Sequence, residues 1–247
     1  MNQILKEIFA TGSVTTPQGE RIKIHSHILA GEGRFLQEII QNLRAVVSLE
    51  VGLGFGVSAL FICEALEKTP DTRHIVIDPY QFQNPKDESD WQGLGLFNLK
   101  RAGYEKIVEF HNLPSHAALP QLAAKATEID IAFIDGWHTF DHTLVDFFYI
   151  DMMLRMGGVV VLHDAGFPSI RKVCRYILNN RAYSLVGYYI PKLDSYGSLI
   201  PSYLKDKLFK SNLVTWLVKS ATRCGVSCLA LKKEGVDTRP WHFHKKF

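Results

Sequence analysis

The chain is poor in the features that mark several protein classes. Its four cysteines, Cys63, Cys174, Cys224 and Cys228, show no zinc-like pairing. Cys63 and Cys174 lie in apolar helical contexts, so thiols in a reducing cytoplasm are the expectation. No dense block of lysine and arginine precedes the last residues, and the net charge is only +3, so no nucleic-acid partner is expected. No apolar run reaches the roughly 18 residues of a membrane span. The start, "MNQILKEIFATGS", carries an acid and lacks a long apolar core, so no signal peptide is expected and the location is read as cytoplasmic. Internal repeats and low-complexity segments are missing. What is present is ordinary: 47% hydrophobic and 21% charged residues over 247 positions suit one α/β domain with a sizeable core.

Strand-like and helix-like patterns alternate from about residue 45 to 182, the pattern of a parallel sheet with crossover helices. The expected strands are "AVVSLEVG", "RHIVIDP", "KIVEFHN", "IDIAFIDG" and "GGVVVLHDA". Between them run "VSALFICEALEK", "WQGLGLFNLKRAG", "SHAALPQLAAKA" and "TLVDFFYIDMMLRM", the last stopping at Gly157-Gly158. A further helix, "SIRKVCRYILNNRA", follows Pro168. "SLVGYYI" and "VSCLALKKE" suit a closing antiparallel pair, with a helical insertion at about 192–223 between them. Residues 1–44 form an N-terminal helical or lid segment ending in the amphipathic "GRFLQEIIQNL", and 45–247 form the main domain.

Carboxylates gather at the strand ends: Asp78, Asp135 and Asp164, with Glu50 just before a glycine run. In open parallel sheets ligands bind at the carboxyl ends of strands. The run reads E-x-G-x-G-x-G from Glu50 through Gly52 and Gly54 to Gly56. A dinucleotide fingerprint would need glycine where Val57 stands, and the Gly-Lys-Ser/Thr of a phosphate loop is missing. An acid in a loop that approaches its ligand closely disfavours pyrophosphate and favours a cation. S-adenosylmethionine, with its ammonium and sulfonium, fits, and Asp78 stands where an acid accepts hydrogen bonds from ribose hydroxyls. The competing reading is a glycine turn with a capping acid and no ligand.

These residues resemble the class I S-adenosylmethionine-dependent methyltransferases over about 45–182. "SHAALPQL", "DIAFIDGWH" and "VVVLHDA" are similar to the catechol O-methyltransferase type and its metal-dependent relatives that act on sugar hydroxyls. The resemblance implies a doubly wound, mostly parallel seven-stranded sheet with an antiparallel closing hairpin, and methyl transfer to a hydroxyl of a small-molecule acceptor. It implies adenine contacts at Ser115 and His116 and adenine packing on Trp137. It implies metal ligation by Asp135 and Asp164, and a general base at His138, where the catechol type has lysine and the sugar-modifying relatives histidine. The chain departs from both patterns. Ala165 replaces a ligating asparagine, and His163 stands where the sugar-modifying relatives have glutamate. A nitrogen ligand turns the expected magnesium toward manganese, iron or zinc. Metal-free catalysis with a merely hydrogen-bonded His163 stays open.

Other residues carry blander readings. His25 and His27 on a short strand line an entrance or simply pack; Tyr188, Tyr189 and Tyr196 read as hairpin packing. Asp141, Asp146 and Asp151 read as solvated helix positions, Asp141 near a helix start capped by Thr139. The basic, amphipathic insertion reads as a lid over the substrate cleft or a homodimer contact rather than a membrane-surface face. His242 and His244 in the tail make no metal site by themselves. The alternative function is a module that binds S-adenosylmethionine without methyl transfer and acts through an interaction or membrane-surface role of the insertion.

Overall fold

The computed structural model describes residues 1–82, 91–191, 225–243 and 245–247. These fall into two compact units, Met1–Ile131 and Ala132–Phe247.

The first unit opens with α1 (Gln3–Thr11), whose first turn is capped by the Asn2 side chain accepting from Leu5 N at 2.9 Å. Gly12, at φ 64°, ends it in the left-handed conformation that glycine adopts without steric cost. A small antiparallel hairpin follows, β1 (Ser13–Thr15) and β2 (Arg21–Lys23). Next come α2 (Ala30–Leu43), β3 (Val47–Val51) and α3 (Val57–Leu66). α3 is apolar on every side and buried at nine of its ten positions, as a helix enclosed by protein must be. α2 can lie against it because Gly33 has no side chain; a Cβ there would stand 2.2 Å from the Phe61 ring. β4 (Arg73–Ile77), α4 (Leu94–Arg101), β5 (Val108–His111) and α5 (Ser115–Ala124) complete the alternation. β3, β4 and β5 are parallel, with Val47 opposite Arg73 and His74 opposite Val108. Asp130 anchors the start of β3, its Oδ2 accepting from Val46 N at 2.7 Å and Val47 N at 2.8 Å.

The second unit takes up the chain within β6 (Ile129–Ile134) and continues through α6 (Phe140–Met153), β7 (Leu154–His163), α7 (Pro168–Asn180), β8 (Tyr183–Tyr189) and β9 (Cys228–Lys233). β9 runs antiparallel to both β7 and β8, which is the expected closing hairpin. The seven strands are ordered β5-β4-β3-β6-β7-β9-β8, so the order turns back at β3. The architecture is the α/β class with a seven-stranded, mostly parallel sheet.

Several local expectations need correction. The helix read as continuing to Met156 stops at Met153, and Leu154 to Met156 already belong to β7. The physical reason lies some eighty residues away: Lys233 Nζ donates to the carbonyls of Asp151, at 2.5 Å, and Leu154, at 2.9 Å, holding the helix end open. Asp146 and Asp151 are buried, not solvated. Asp151 accepts from Arg181 and from the Tyr183 hydroxyl at 2.5 Å, with Lys233 Nζ 3.5 Å away, so its charge is compensated inside the unit. His25 and His27 lie beyond the end of β2, not on a strand, and both are exposed. The insertion at 192–223, with Tyr196, lies outside the described residues, as does His244. Among the described residues no helix is long and apolar enough to cross a membrane.

Candidate active site

Two groups of residues carry the chemistry the sequence pointed to, one in each unit. In the first, β3 ends at Val51 and the chain turns through Gly52, Gly54 and Gly56 at φ 92°, 53° and 79°. All three are left-handed, so any residue with a side chain would be strained at each position. The turn is held from below by Asp78, which follows β4 and is 2% exposed. Its Oδ2 accepts from Leu53 N and Gly54 N, both at 3.0 Å, and from Gln81 Nε2 at 3.2 Å; Oδ1 accepts from Tyr80 N at 2.7 Å. The residue read as a ribose acceptor therefore also organises the glycine loop.

Two carboxamides hold the loop's carbonyls. Gln81 Nε2 donates to Gly54 O at 2.9 Å, and Asn98 Nδ2, from α4, donates to Phe55 O at 3.0 Å. Both side chains are fully buried. α4 reaches the loop because Gly95 lacks a side chain: a Cβ there would lie 2.5 Å from Gly54 O, and one on Gly56 would lie 2.8 Å from Gly95 O. Sequence reasoning missed Gln81, Gly95 and Asn98. The only available signal was the second glycine pair, Gly93 and Gly95, at the head of a helix where glycine is otherwise costly.

Glu50 is fully buried on β3. Its Oε2 lies 3.2 Å from His74 Nε2 on the neighbouring strand, while His74 Nδ1 lies 2.8 Å from Ser48 Oγ. The acid of the motif is thus paired with a buried imidazole. Ser115 opens α5 and is half-buried, and His116 beside it is exposed. His25, Phe55 and Trp91 form a cluster of rings at 5.0–5.3 Å beside the loop.

In the second unit Asp135 follows β6, His163 ends β7, Asp164 follows it, and His138 precedes α6. One donor atom from each of the four lies within 4.8 Å of the others. His163 Nδ1 stands 2.7 Å from Asp135 Oδ1; His138 Nε2 stands 3.2 Å from Asp135 Oδ1 and 3.1 Å from Asp164 Oδ2. Two of the four backbones are left-handed, His138 at φ 55° and Asp164 at φ 50°, conformations that bulkier non-glycine residues keep only when their surroundings impose them. Ser169 Oγ donates to His138 O at 2.7 Å, which fixes one side of that strained residue.

The electrostatics follow from the charges. The Asp135 and Asp164 carboxylates push His138 up to about 9, against the opposing effect of burial. Burial alone would raise Asp135, but His163 and His138 bring it below the ordinary carboxylate range. The donor set of two imidazoles and two carboxylates fits a divalent cation, and by its nitrogen content suits manganese, iron or zinc better than magnesium. Trp137, between Asp135 and His138 in sequence, is 60% exposed.

Residues 49–165 match a family model described as a methyltransferase domain. No curated protein sequence matches the chain significantly. Among solved structures, an O-methyltransferase from Bacillus cereus in complex with SAH is 16% identical, with a TM-score of 0.63 over 94% of this chain and 92% of that one. TomG, the O-methyltransferase of tomaymycin synthesis from Streptomyces achromogenes in complex with SAM, is also 16% identical, with a TM-score of 0.62 over 94% and 90%. The cofactor-bound Rv0187 from MTB is 18% identical, with a TM-score of 0.58 over 84% and 81%. At these identities the structural likeness is one of fold. Residues 49–165 thus match a methyltransferase-domain model, and the chain shares its fold with solved O-methyltransferases.

Proposed function

We propose that the protein transfers a methyl group from S-adenosylmethionine to a hydroxyl oxygen of a small-molecule acceptor. The observation that carries the reading is the convergence of Asp135, His138, His163 and Asp164 within 4.8 Å, in a domain whose other unit holds the glycine loop.

In this reading the glycine loop and Asp78 hold the cofactor. The loop offers close backbone approach, Asp78 faces the ribose, and Ser115, His116 and Trp137 serve the adenine. Glu50, paired with His74, supplies negative potential beneath the methionine ammonium. At the cluster the neutral form of His138, whose share grows as the pH rises toward 9, takes the acceptor's hydroxyl proton as its oxygen attacks the methyl carbon. The new C–O bond forms as the C–S bond of the sulfonium breaks, leaving S-adenosylhomocysteine. Asp135, His163 and Asp164 would hold a divalent metal, which when bound would act as a Lewis acid toward the acceptor oxygen. The same residues serve the metal-free case by orienting His138. A cytoplasmic location and the absence of nucleic-acid partners remain part of this reading, as does the choice between monomer and homodimer.

The test pairs binding with turnover. Calorimetry with S-adenosylhomocysteine should give micromolar-range affinity, lost in Asp78→Ala because the loop loses its carboxylate anchor. A panel of small hydroxylated acceptors, with and without Mg²⁺ or Mn²⁺, should then show cofactor turnover. A flat titration would sink the reading. Binding without turnover on any acceptor would leave the chain a cofactor-binding module.

A further inference from the structure

Four residues beyond Asp78 the chain turns an aromatic ring toward solvent. Phe82 is 62% exposed. Exposure alone means little, since single apolar side chains are common on surfaces. The way this ring is seated means more. It meets Phe110 of β5 edge-on, with centroids 6.1 Å apart and planes at 79°. On another side it rests over Gly93, where a Cβ would come within 2.8 Å of the ring. Gly93 is also left-handed, at φ 68°, a conformation that glycine adopts without steric cost. The turn that carries Gly93 is tied to the Phe82 segment by Trp91 N donating to Tyr80 O at 3.0 Å and Gly93 N donating to Gln81 O at 2.6 Å. Among the described residues the ring is therefore met by Phe110 and Gly93.

Its position gives the exposure a meaning. β4 and β5 pair in parallel with Val76 opposite Phe110, and the pairing extends past the strands, Asp78 N donating to His111 O at 3.2 Å. Asp78, Phe82 and, after a three-residue link, Ser115 thus all issue from the carboxyl ends of the same two strands. A nucleoside whose ribose is held at Asp78 has its base attached next to that ribose, and a base needs a flat apolar face. Phe82 provides one on the same strand ends.

We propose that Phe82 is the aromatic platform on which the cofactor's adenine stacks. This rests on the reading that the first unit binds S-adenosylmethionine. It assigns adenine recognition to a side chain that the glycine motif and the family resemblance do not single out. Stacking on an aromatic side chain is tolerant of base identity, and alanine substitution at such platforms costs about fivefold to a hundredfold in affinity.

The experiment compares two ligands that differ only in the base, S-adenosylhomocysteine and S-ribosylhomocysteine, the second measured by competition. Phe82→Ala should weaken S-adenosylhomocysteine about tenfold or more and leave S-ribosylhomocysteine within twofold, while Phe82→Trp should keep the wild-type affinity. Equal weakening of both ligands by Phe82→Ala, or no weakening of either, would overturn the proposal, because the ring would then be structural or idle. Wild-type protein that binds neither ligand would instead overturn the cofactor reading beneath it. Because the ring is mostly exposed, Phe82→Ala should fold, and its melting temperature checks that.

Discussion

The glycine loop and the carboxylate–imidazole cluster solve opposite problems. Around the loop nearly every contact is made by backbone: Leu53 N, Gly54 N and Tyr80 N go to Asp78, and the carbonyls of Gly54 and Phe55 receive side-chain amides. The geometry there is set by missing side chains, at Gly52, Gly54, Gly56 and Gly95. The cluster is built instead from charged side chains, crowded together on a backbone that is strained at His138 and Asp164. A backbone cradle suits a ligand common to many enzymes, because it does not depend on which side chains surround it. A charged cluster suits the step that differs between enzymes, because a single replacement changes its chemistry.

If that division is right, damage to one group should leave the other's property intact. The largest effect is expected from His138→Ala, which should lower turnover by about 10²–10⁴-fold, as loss of a general base does, measured by S-adenosylhomocysteine release under saturating cofactor. Asp151→Ala removes the carboxylate that Arg181 and Tyr183 meet inside the second unit. It should cost up to about 3 kcal/mol of stability in urea denaturation, because the buried Arg181 then keeps only the more exposed Asp237, 3.3 Å away, among the described carboxylates. Gly95→Ala drives a methyl group toward Gly54 O, and should cost about 1–3 kcal/mol through overpacking while weakening cofactor-product affinity in calorimetry. The smallest effect is a pH trend in chelator-treated protein. The His138 imidazole, ordinarily near 6.5, is raised to about 9 by its two carboxylates. Its contribution to stability is therefore complete below about pH 6.5 and lost as the pH rises through 9. Solvent reaches part of this side chain and screens the effect. Melting temperature should fall across that window in wild type and stay flatter in His138→Ala.

The same contrast explains what could be read from the sequence. The glycine loop and the strands that carry Asp78, Asp135 and Asp164 were legible because their signals are local: β-branched runs, glycines at fixed spacing, an acid at each end. The end of α6 was not. Leu154 and Met156 continue an apolar pattern, and the contacts that hold the helix end open come from Lys233, distant in sequence. Asp151 was misread for the same reason, since Arg181 and Lys233 reach it only in the fold. Gln81 and Asn98 were invisible because a carboxamide gives no hint of its partner, whereas the spacing from Asp135 to His138 marked the cluster once the family resemblance was in view.

On the proposed reading the loop in the first unit holds the cofactor independently of the chemistry at the cluster. That independence is tested most directly by calorimetry of S-adenosylhomocysteine with wild type and with the double variant Asp135→Ala/Asp164→Ala. Affinities within about twofold of one another are expected, with turnover abolished in the variant. Loss of cofactor-product binding in a folded double variant, alongside binding in wild type, would contradict it.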